Sequence, residues 1–356
     1  MTDEAALLAA VVAAPEADTP RLVLADWYDE HDDPDRAEFI RLQVRHSRLA
    51  PDEDGRPLEV RANELLGRNE ERWVGPVRHL VLTQQFRRGF IEVVGVQAET
   101  FLAHAVDLFD AAPVRLAFFV GAPDQLAAVF ASPHFTRLRG LGLREVGAVG
   151  AQLLAASPGA TGLEDLHLFS NDIGPAGATS IARSPYLPAV KALRLGWNWL
   201  GDEGLQALAE SEHLQHLDTL DVSENRVGPA GVEALARSPL ISRLETLRLW
   251  HNPIGPDGAS ALGTSPSLGA TSRLAVLNLS ACQLGDAGCR SIASAPWAAG
   301  LRHLHLAGND IAEDGVEALV DSPHLSNLAE LDLGGNRLTD DDRFSLRGRF
   351  GMRVQL

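Results

Sequence analysis

Apolar residues recur through residues 163–336 in one fixed frame. Leu163, Leu166 and Leu168 lead to Asn171, and the spacing LxxLxLxxN returns at Val190 to Asn198, Leu217 to Asn225, Leu244 to Asn252, Leu274 to Cys282, Leu301 to Asn309 and Leu328 to Asn336. Successive frames end 27, 27, 27, 30, 27 and 27 residues apart. A period of this length marks a stacked array in which each unit buries its apolar face only against its neighbours. Within a frame, the alternation Leu166-His167-Leu168 predicts a short strand buried on one face. Asn171 and its equivalents follow the strand, where a buried side-chain amide can satisfy turn backbone groups that lack a ladder partner. Cys282 holds that place in one unit.

The second half of each unit predicts a helix. Gly174-Pro175-Ala176-Gly177 leads into Ala178, Ile181 and Ala182, and Gly201 to Gly204, Gly228 to Gly231, Gly255 to Gly258 and Gly285 to Gly288 play the same part. Proline suits the first turn of a helix, where its missing N–H costs nothing. Ser184-Pro185, Ser238-Pro239, Ser265-Pro266 and Ser322-Pro323 then stop the helices. This frame with its GxxG helix start resembles the ribonuclease-inhibitor-like class of leucine-rich repeats, over about half of the chain. The resemblance implies an α/β solenoid, a horseshoe with parallel strands inside and helices outside. It also implies a binding role, although a fold does not fix a function.

Upstream, Ser132-Pro133 and Ser157-Pro158 continue the stop signal, and Leu138 to Leu143 and Val114 to Phe119 read as strands of degenerate units. Gly89 to Val96 as a strand and Ala98 to Ala111 as a helix form an expected N-terminal cap. At the other end Arg343, Arg347, Arg349 and Arg353 give the last unit a charged outer face. The expected solenoid is thus 76–356, with cap and degenerate repeats at 86–162 and regular repeats at 163–356.

Residues 1–75 carry no repeat and read as a small all-α module. Helices are expected near 3–13, 20–30, 34–47 and 57–72, with Thr19-Pro20 and Asp33-Pro34 as N-cap and first helical residue. The run from Thr19 through Asp26-Trp27-Tyr28-Asp29-Glu30-His31, followed by Asp33 to Gln43, resembles the repeat-companion domain found ahead of repeat arrays in some bacterial proteins. Phe86-Arg-Arg-Gly-Phe90 resembles the segment that joins such a module to its repeats. The resemblance implies an architecture and no activity. Of Trp27 and Tyr28, one is expected in the module's core and the other is open to a partner. Counting an EF-hand from Asp29 puts Pro34 and Ile40 where glycine and glutamate are required, so helix capping accounts for these aspartates better than calcium does.

Charge narrows the partners. A formal net charge of -17 repels a phosphate backbone and favours a protein partner with a basic surface. The two cysteines, Cys282 and Cys289, lack CxxC spacing. Asp3 and Glu4 precede the apolar run Ala5 to Ala14 where a signal peptide carries positive charge, so a mature helix is expected there. No apolar stretch approaches the roughly 18 residues of a membrane span. These features point to a cytoplasmic protein that needs no membrane, nucleic acid or cofactor.

Side chains between the buried leucines face the open side of the strands. One column reads His167, Arg194, Asp221, Arg248, Asn278, His305, Asp332, in which Arg194, Asp221 and Arg248 alternate as a cross-strand charge ladder. The next reads Phe169, Gly196, Ser223, Trp250, Ser280, Ala307, Gly334, with Trp197, Trp199 and His251 just beyond. Aromatic and arginine side chains dominate interaction hot spots. Phe169, Arg194, Trp197, Trp199, Arg248, Trp250 and His251 are therefore the expected partner-binding patch. His303, His305, Glu330 and Asp332 share a face and form a weaker candidate zinc cluster, with a metal-assisted hydrolase as its consequence. Fold analogy offers another alternative, a regulator that activates a small GTPase. No nucleophile elbow, P-loop, HExxH or dinucleotide fingerprint occurs, so a non-enzymatic binding scaffold is expected.

Overall fold

A computed structural model describes residues 3–50, 53–269 and 272–356. Backbone packing divides the chain after Gly142 into two compact units.

The first unit opens with four helices, α1 (Asp3–Ala13), α2 (Asp18–Glu30), α3 (Pro34–His46) and α4 (Arg56–Val74). A hairpin of β1 (Thr83–Arg87) and β2 (Phe90–Gln97) follows, then α5 (Ala98–Ala111), β3 (Leu116–Val120), α6 (Pro123–Ala131) and β4 (Gly140–Leu143). Asp33 caps α3, accepting from the Arg36 N–H at 3.3 Å with Pro34 in the first helical place. Thr19 is not a cap: α2 starts one residue earlier and Ala17, which has no side-chain oxygen, holds the cap position. Pro20 still falls in the first turn, where backbone donors are free in any helix. The aspartates around the end of α2 serve local pairs, Asp29 with Arg41 and Asp33 with Arg72 at 2.8 Å. Val11, Leu24, Ala25, Ala37, Ile40, Val44 and Phe90 form one core, and both Trp27 and Tyr28 lie partly buried against it.

The segment Phe86 to Phe90 is a tight hairpin turn that sequence patterning left without its first strand. Arg88 and Gly89 both have positive φ, +47° and +88°, as a two-residue turn matched to strand twist requires. A Cβ at Gly89 would stand 2.6 Å from the Ile40 side chain, so only glycine lets the turn reach α3. The turn also covers a buried ion pair, Arg21 on α2 with Glu92 on β2 at 2.7 Å. Arg88 donates to the same carboxylate at 3.0 Å, and Arg21 donates to the Pro15 carbonyl at 2.8 Å. Nearby, the buried Arg36 guanidinium lies 4.7 to 5.7 Å from the ring centres of Trp73, Phe90, Phe86 and Phe39.

The second unit repeats strand and helix: α7 (Gly147–Ala155), β5 (Asp165–His167), α8 (Gly174–Ala182), β6 (Ala192–Arg194), α9 (Gly201–Ala209), β7 (Thr219–Asp221), α10 (Pro229–Arg237), β8 (Thr246–Arg248) and α11 (Gly255–Gly263). It continues with β9 (Val276–Asn278), α12 (Gly285–Ala293), β10 (His303–His305), α13 (Glu313–Val320), β11 (Glu330–Asp332), α14 (Asp340–Phe350) and β12 (Val354–Gln355). Strands β5 to β12 pair in parallel and in chain order. Consecutive helices pack on one another in the same order. Leu166, Leu193, Leu220, Leu247, Leu277, Leu304 and Leu331 stand in register from β5 to β11 and are fully buried. This is an α/β solenoid: no unit has a core of its own, and stacking makes one continuous core.

Two polar ladders tie the units together. Asn198 Oδ1 accepts from the N–H groups of Asn171 and Ile173 in the preceding unit, while its Nδ2 donates to the carbonyls of Leu168, Leu195 and Gly196. Asn225, Asn252 and Asn309 occupy equivalent places and are equally buried. Cys282 keeps only part of this role, its Sγ donating to the Leu249 carbonyl at 3.2 Å. The helix-stop serines do more than precede proline. Ser184 Oγ donates to the Ala155 carbonyl at 2.6 Å, and Ser238, Ser265 and Ser322 likewise bond to Ala209, Ala236 and Ala293 in the unit before. Each one satisfies a carbonyl that the end of a helix leaves free. In the last unit Arg349 and Arg353 donate back to the carbonyls of Ser322 and Leu328.

Candidate functional site

The asparagine ladder determines which residues face outward next to it. Three successive asparagines, Asn171, Asn198 and Asn225, are each flanked by residues in left-handed backbone: Ser170 and Asp172, Trp197 and Trp199, then Glu224 and Arg226, with φ between +51° and +57° at the first and third pairs. Trp197 and Trp199 lie at +59° and +56°. A bulky side chain rarely adopts this conformation, and holding one there costs about 1–3 kcal/mol. Later units place Gly308 and Gly335 at the Trp197 position, both with positive φ. Those glycines were the sequence signal for the conformation.

The tryptophans are also exposed. Phe169, Trp197 and Trp199 keep 51%, 46% and 48% of their surface open to solvent, whereas the frame leucines beside them keep none. Trp250 is half-buried and His251 exposed. Phe169 and Trp197 have ring centres 6.4 Å apart, and Trp250 and His251 lie 6.0 Å apart. Trp199 is held from two sides: its Nε1–H donates to Asp172 at 2.9 Å, and the Arg226 guanidinium stacks 3.8 Å from its ring centre. Asp172 and Arg226 were not among the expected site residues. They share Trp199's offset from the ladder asparagine, one unit to either side.

The expected charge ladder does not form. Arg194 turns to Asp165 on the neighbouring strand β5 rather than to Asp221 on β7. Asp165 also meets His167 Nε2 at 3.0 Å. Burial raises the Asp165 carboxyl, but His167 and Arg194 outweigh it and hold the group below its usual range. Asp221 instead accepts from the N–H of Ser223 at 3.0 Å. That backbone donor lies within the same short strand end, so the contact needs no long side chain to be ordered. The side chain of Arg248, in register with Asp221 and Asn278, has no hydrogen-bond or ion-pair partner among the described residues. His251 pairs with Glu224, another residue outside the expected set.

The four candidate metal ligands do not converge on one point. His303 meets Glu330 at 3.2 Å and His305 approaches Asp332 at 4.0 Å, as two separate pairs across β10 and β11. Among the described residues, no three His, Cys, Asp or Glu side chains lie close enough to hold a metal ion. Zinc needs three or four ligands at bonding distance. The two thiols are buried, and burial pushes both up to about 12, far from the reactive thiolate range.

If Trp197 is a surface aromatic rather than part of the core, Trp197→Asn will change folding stability by less than about 1 kcal/mol, because relief of left-handed strain offsets the burial lost. Leu195→Ala, two residues away and fully buried, will cost about 2–5 kcal/mol. Urea unfolding of both variants separates the cases; equal losses would place Trp197 in the core.

The leucine-rich-repeat family pattern matches seven segments, residues 161–182, 187–209, 213–236, 243–263, 274–293, 301–320 and 324–346. No curated protein is similar enough in sequence to match. Among solved structures, a chain of the yeast Rad7–Elc1 complex is similar over 93% of this chain and 88% of its own, with 16% identity and a TM-score of 0.56. An internalin (inlF) of Listeria monocytogenes is similar over 68% of this chain and 67% of its own, with 19% identity and a TM-score of 0.44. At these identities the likeness concerns the fold alone. Residues 161–346 carry leucine-rich repeats, and no described helix is long and apolar enough to cross a membrane.

Proposed function

We propose that this chain is a non-enzymatic protein-binding scaffold that grips its partner with Phe169, Arg194, Trp197, Trp199, Arg248, Trp250 and His251. One observation carries the reading: Phe169, Trp197 and Trp199 stay half-exposed on consecutive units, two of them in backbone that disfavours large side chains. Strain retained at an exposed aromatic points to use, and aromatic and arginine side chains are what interface centres employ. Leucine-rich repeats serve as protein-interaction scaffolds, and one solved protein of this fold is part of a two-protein complex. The 27-residue period with helices on the second half of each unit supports the ribonuclease-inhibitor-like subclass. Residues 1–75 are read as a companion module ahead of an array over 76–356, the reading that the four-helix start supports. The free, buried Cys282 and Cys289 fit a reducing cytoplasm.

The test is an affinity capture from native lysate with wild-type chain and the Trp197→Ala/Trp250→Ala variant. A partner bound by wild type and lost at least a hundredfold by the variant is expected, since each hot-spot aromatic contributes about 2 kcal/mol or more. Equal capture by both chains would move recognition away from this patch, with the helical module as the next surface to truncate.

A further inference from the structure

The side chains of this face are unevenly matched. Its carboxylates have uses: Asp165 binds Arg194 and His167, Asp172 holds Trp199, Asp221 accepts from the Ser223 N–H, and Glu224 meets His251. Lys191 and Arg273 pair with Glu164 and Glu245, and Arg226 lies on Trp199. Arg248 is the exception. The residue is half-buried on the central strand β8, and its guanidinium lacks any hydrogen-bond or ion-pair partner among the described residues. A planar guanidinium fork left free in this way is matched to a carboxylate.

A column with an aromatic side chain at each end stands next to it. In the column Phe169, Gly196, Ser223, Trp250, the two small residues lie between two aromatic ones on successive strands. Neighbouring strands are about 4.8 Å apart, so the column spans roughly 14 Å of backbone. The Phe169 ring leans across Gly196, where a Cβ would come within 2.8 Å of it. Ser223, only 1% exposed, has a hydroxyl with no hydrogen-bond partner. It is a buried polar group of the kind that is normally satisfied.

We propose that the partner presents an acidic peptide segment, an aspartate or glutamate side chain pairing with Arg248 while an adjacent apolar side chain packs on the open face of Phe169 or Trp250. The proposal rests on the scaffold reading above and specifies its ligand. It reverses the expectation, drawn from net charge, of a basic partner. With a charge of -17 the chain repels a polyanion at long range, which disfavours nucleic acid. One carboxylate needs only one short-range guanidinium contact.

The experiment is selection of phage-displayed random dodecapeptides on the full chain, followed by fluorescence anisotropy with a synthesised, enriched peptide. Enriched sequences are expected to carry Asp or Glu beside Phe, Trp or Leu. Their affinity is expected to fall at least about tenfold for Arg248→Gln and to recover in part for Arg248→Lys, which keeps the charge without the fork. Circular dichroism confirms that each variant folds. Peptides without a carboxylate, or binding unchanged by Arg248→Gln, would overturn the proposal. If such peptides still depended on Trp197 and Trp250, the scaffold patch would stand and only acid recognition would fall. Enrichment independent of all three residues, or none above a protein-free control, would remove both.

Discussion

Asn198→Ala is expected to destabilise the repeat unit by about 4 kcal/mol, because it leaves several buried backbone groups without partners. The side chain bonds to five backbone groups, at 3.0 and 3.2 Å for the N–H groups of Asn171 and Ile173 and 2.6 to 3.0 Å for three carbonyls. Two of those carbonyls keep other donors, Leu195 from Asn225 and Gly196 from the Ser170 N–H. Two N–H groups and the Leu168 carbonyl do not, and each buried orphan costs about 1–3 kcal/mol. Aspartate in the same place would still accept but could not donate, so Asn198→Asp is expected to be no better. Urea unfolding followed by circular dichroism reads the loss, and hydrogen exchange locates it: protection is expected to fall first at Asn171 and Ile173. A loss below about 1 kcal/mol would mean that water replaces the amide, and the ladder would be a spectator of the stacking rather than its cause.

Glu92→Ala is expected to cost about 3–5 kcal/mol, the usual consequence of leaving one buried charge of a pair alone. Arg21 and Glu92 are 0% and 5% exposed at their side chains. Burial lowers the Arg21 value and raises that of Glu92, each against the pull of its partner. Two results follow. The double replacement Arg21→Met/Glu92→Leu is expected to recover most of that loss, because no buried charge is left alone and Arg88, which loses Glu92, keeps the Glu16 and Pro15 carbonyls. With the folded Glu92 value above the ordinary 4.5, its titration contributes stability that is full at low pH and is lost as pH rises through the folded value. Thermal unfolding of the single and double variants at neutral pH checks the first. A double variant as unstable as Glu92→Ala would show that the pair is a net source of stability.

The sequence by itself determined the repeat. Its frame places Leu166, Leu193 and their equivalents in one buried column, and the strands at 165–167 through 330–332 follow from alternation over a few covalently linked residues. Asn198 was legible as a turn residue for the same reason, since the Leu195 and Gly196 carbonyls that it serves lie next to it in the chain, while its bonds to Leu168, Asn171 and Ile173 in the preceding unit form only on stacking. The aromatic patch could be listed because side chains between core positions can only point outward. What the tertiary structure decided was the choice among competing partners. Arg194 had Asp165 and Asp221 within reach on either side, and Asp221 was taken by a backbone N–H two residues away. That outcome left Arg248 alone, and no spacing rule contains it. The hairpin at Arg88-Gly89 was equally hidden: its first strand has no clear alternation and is held by pairing with β2, across a turn where Gly89 approaches Ile40 on α3. Periodicity is a property of neighbours along the chain. Pairing is a contest among neighbours in space, and it is settled only when all of them are present.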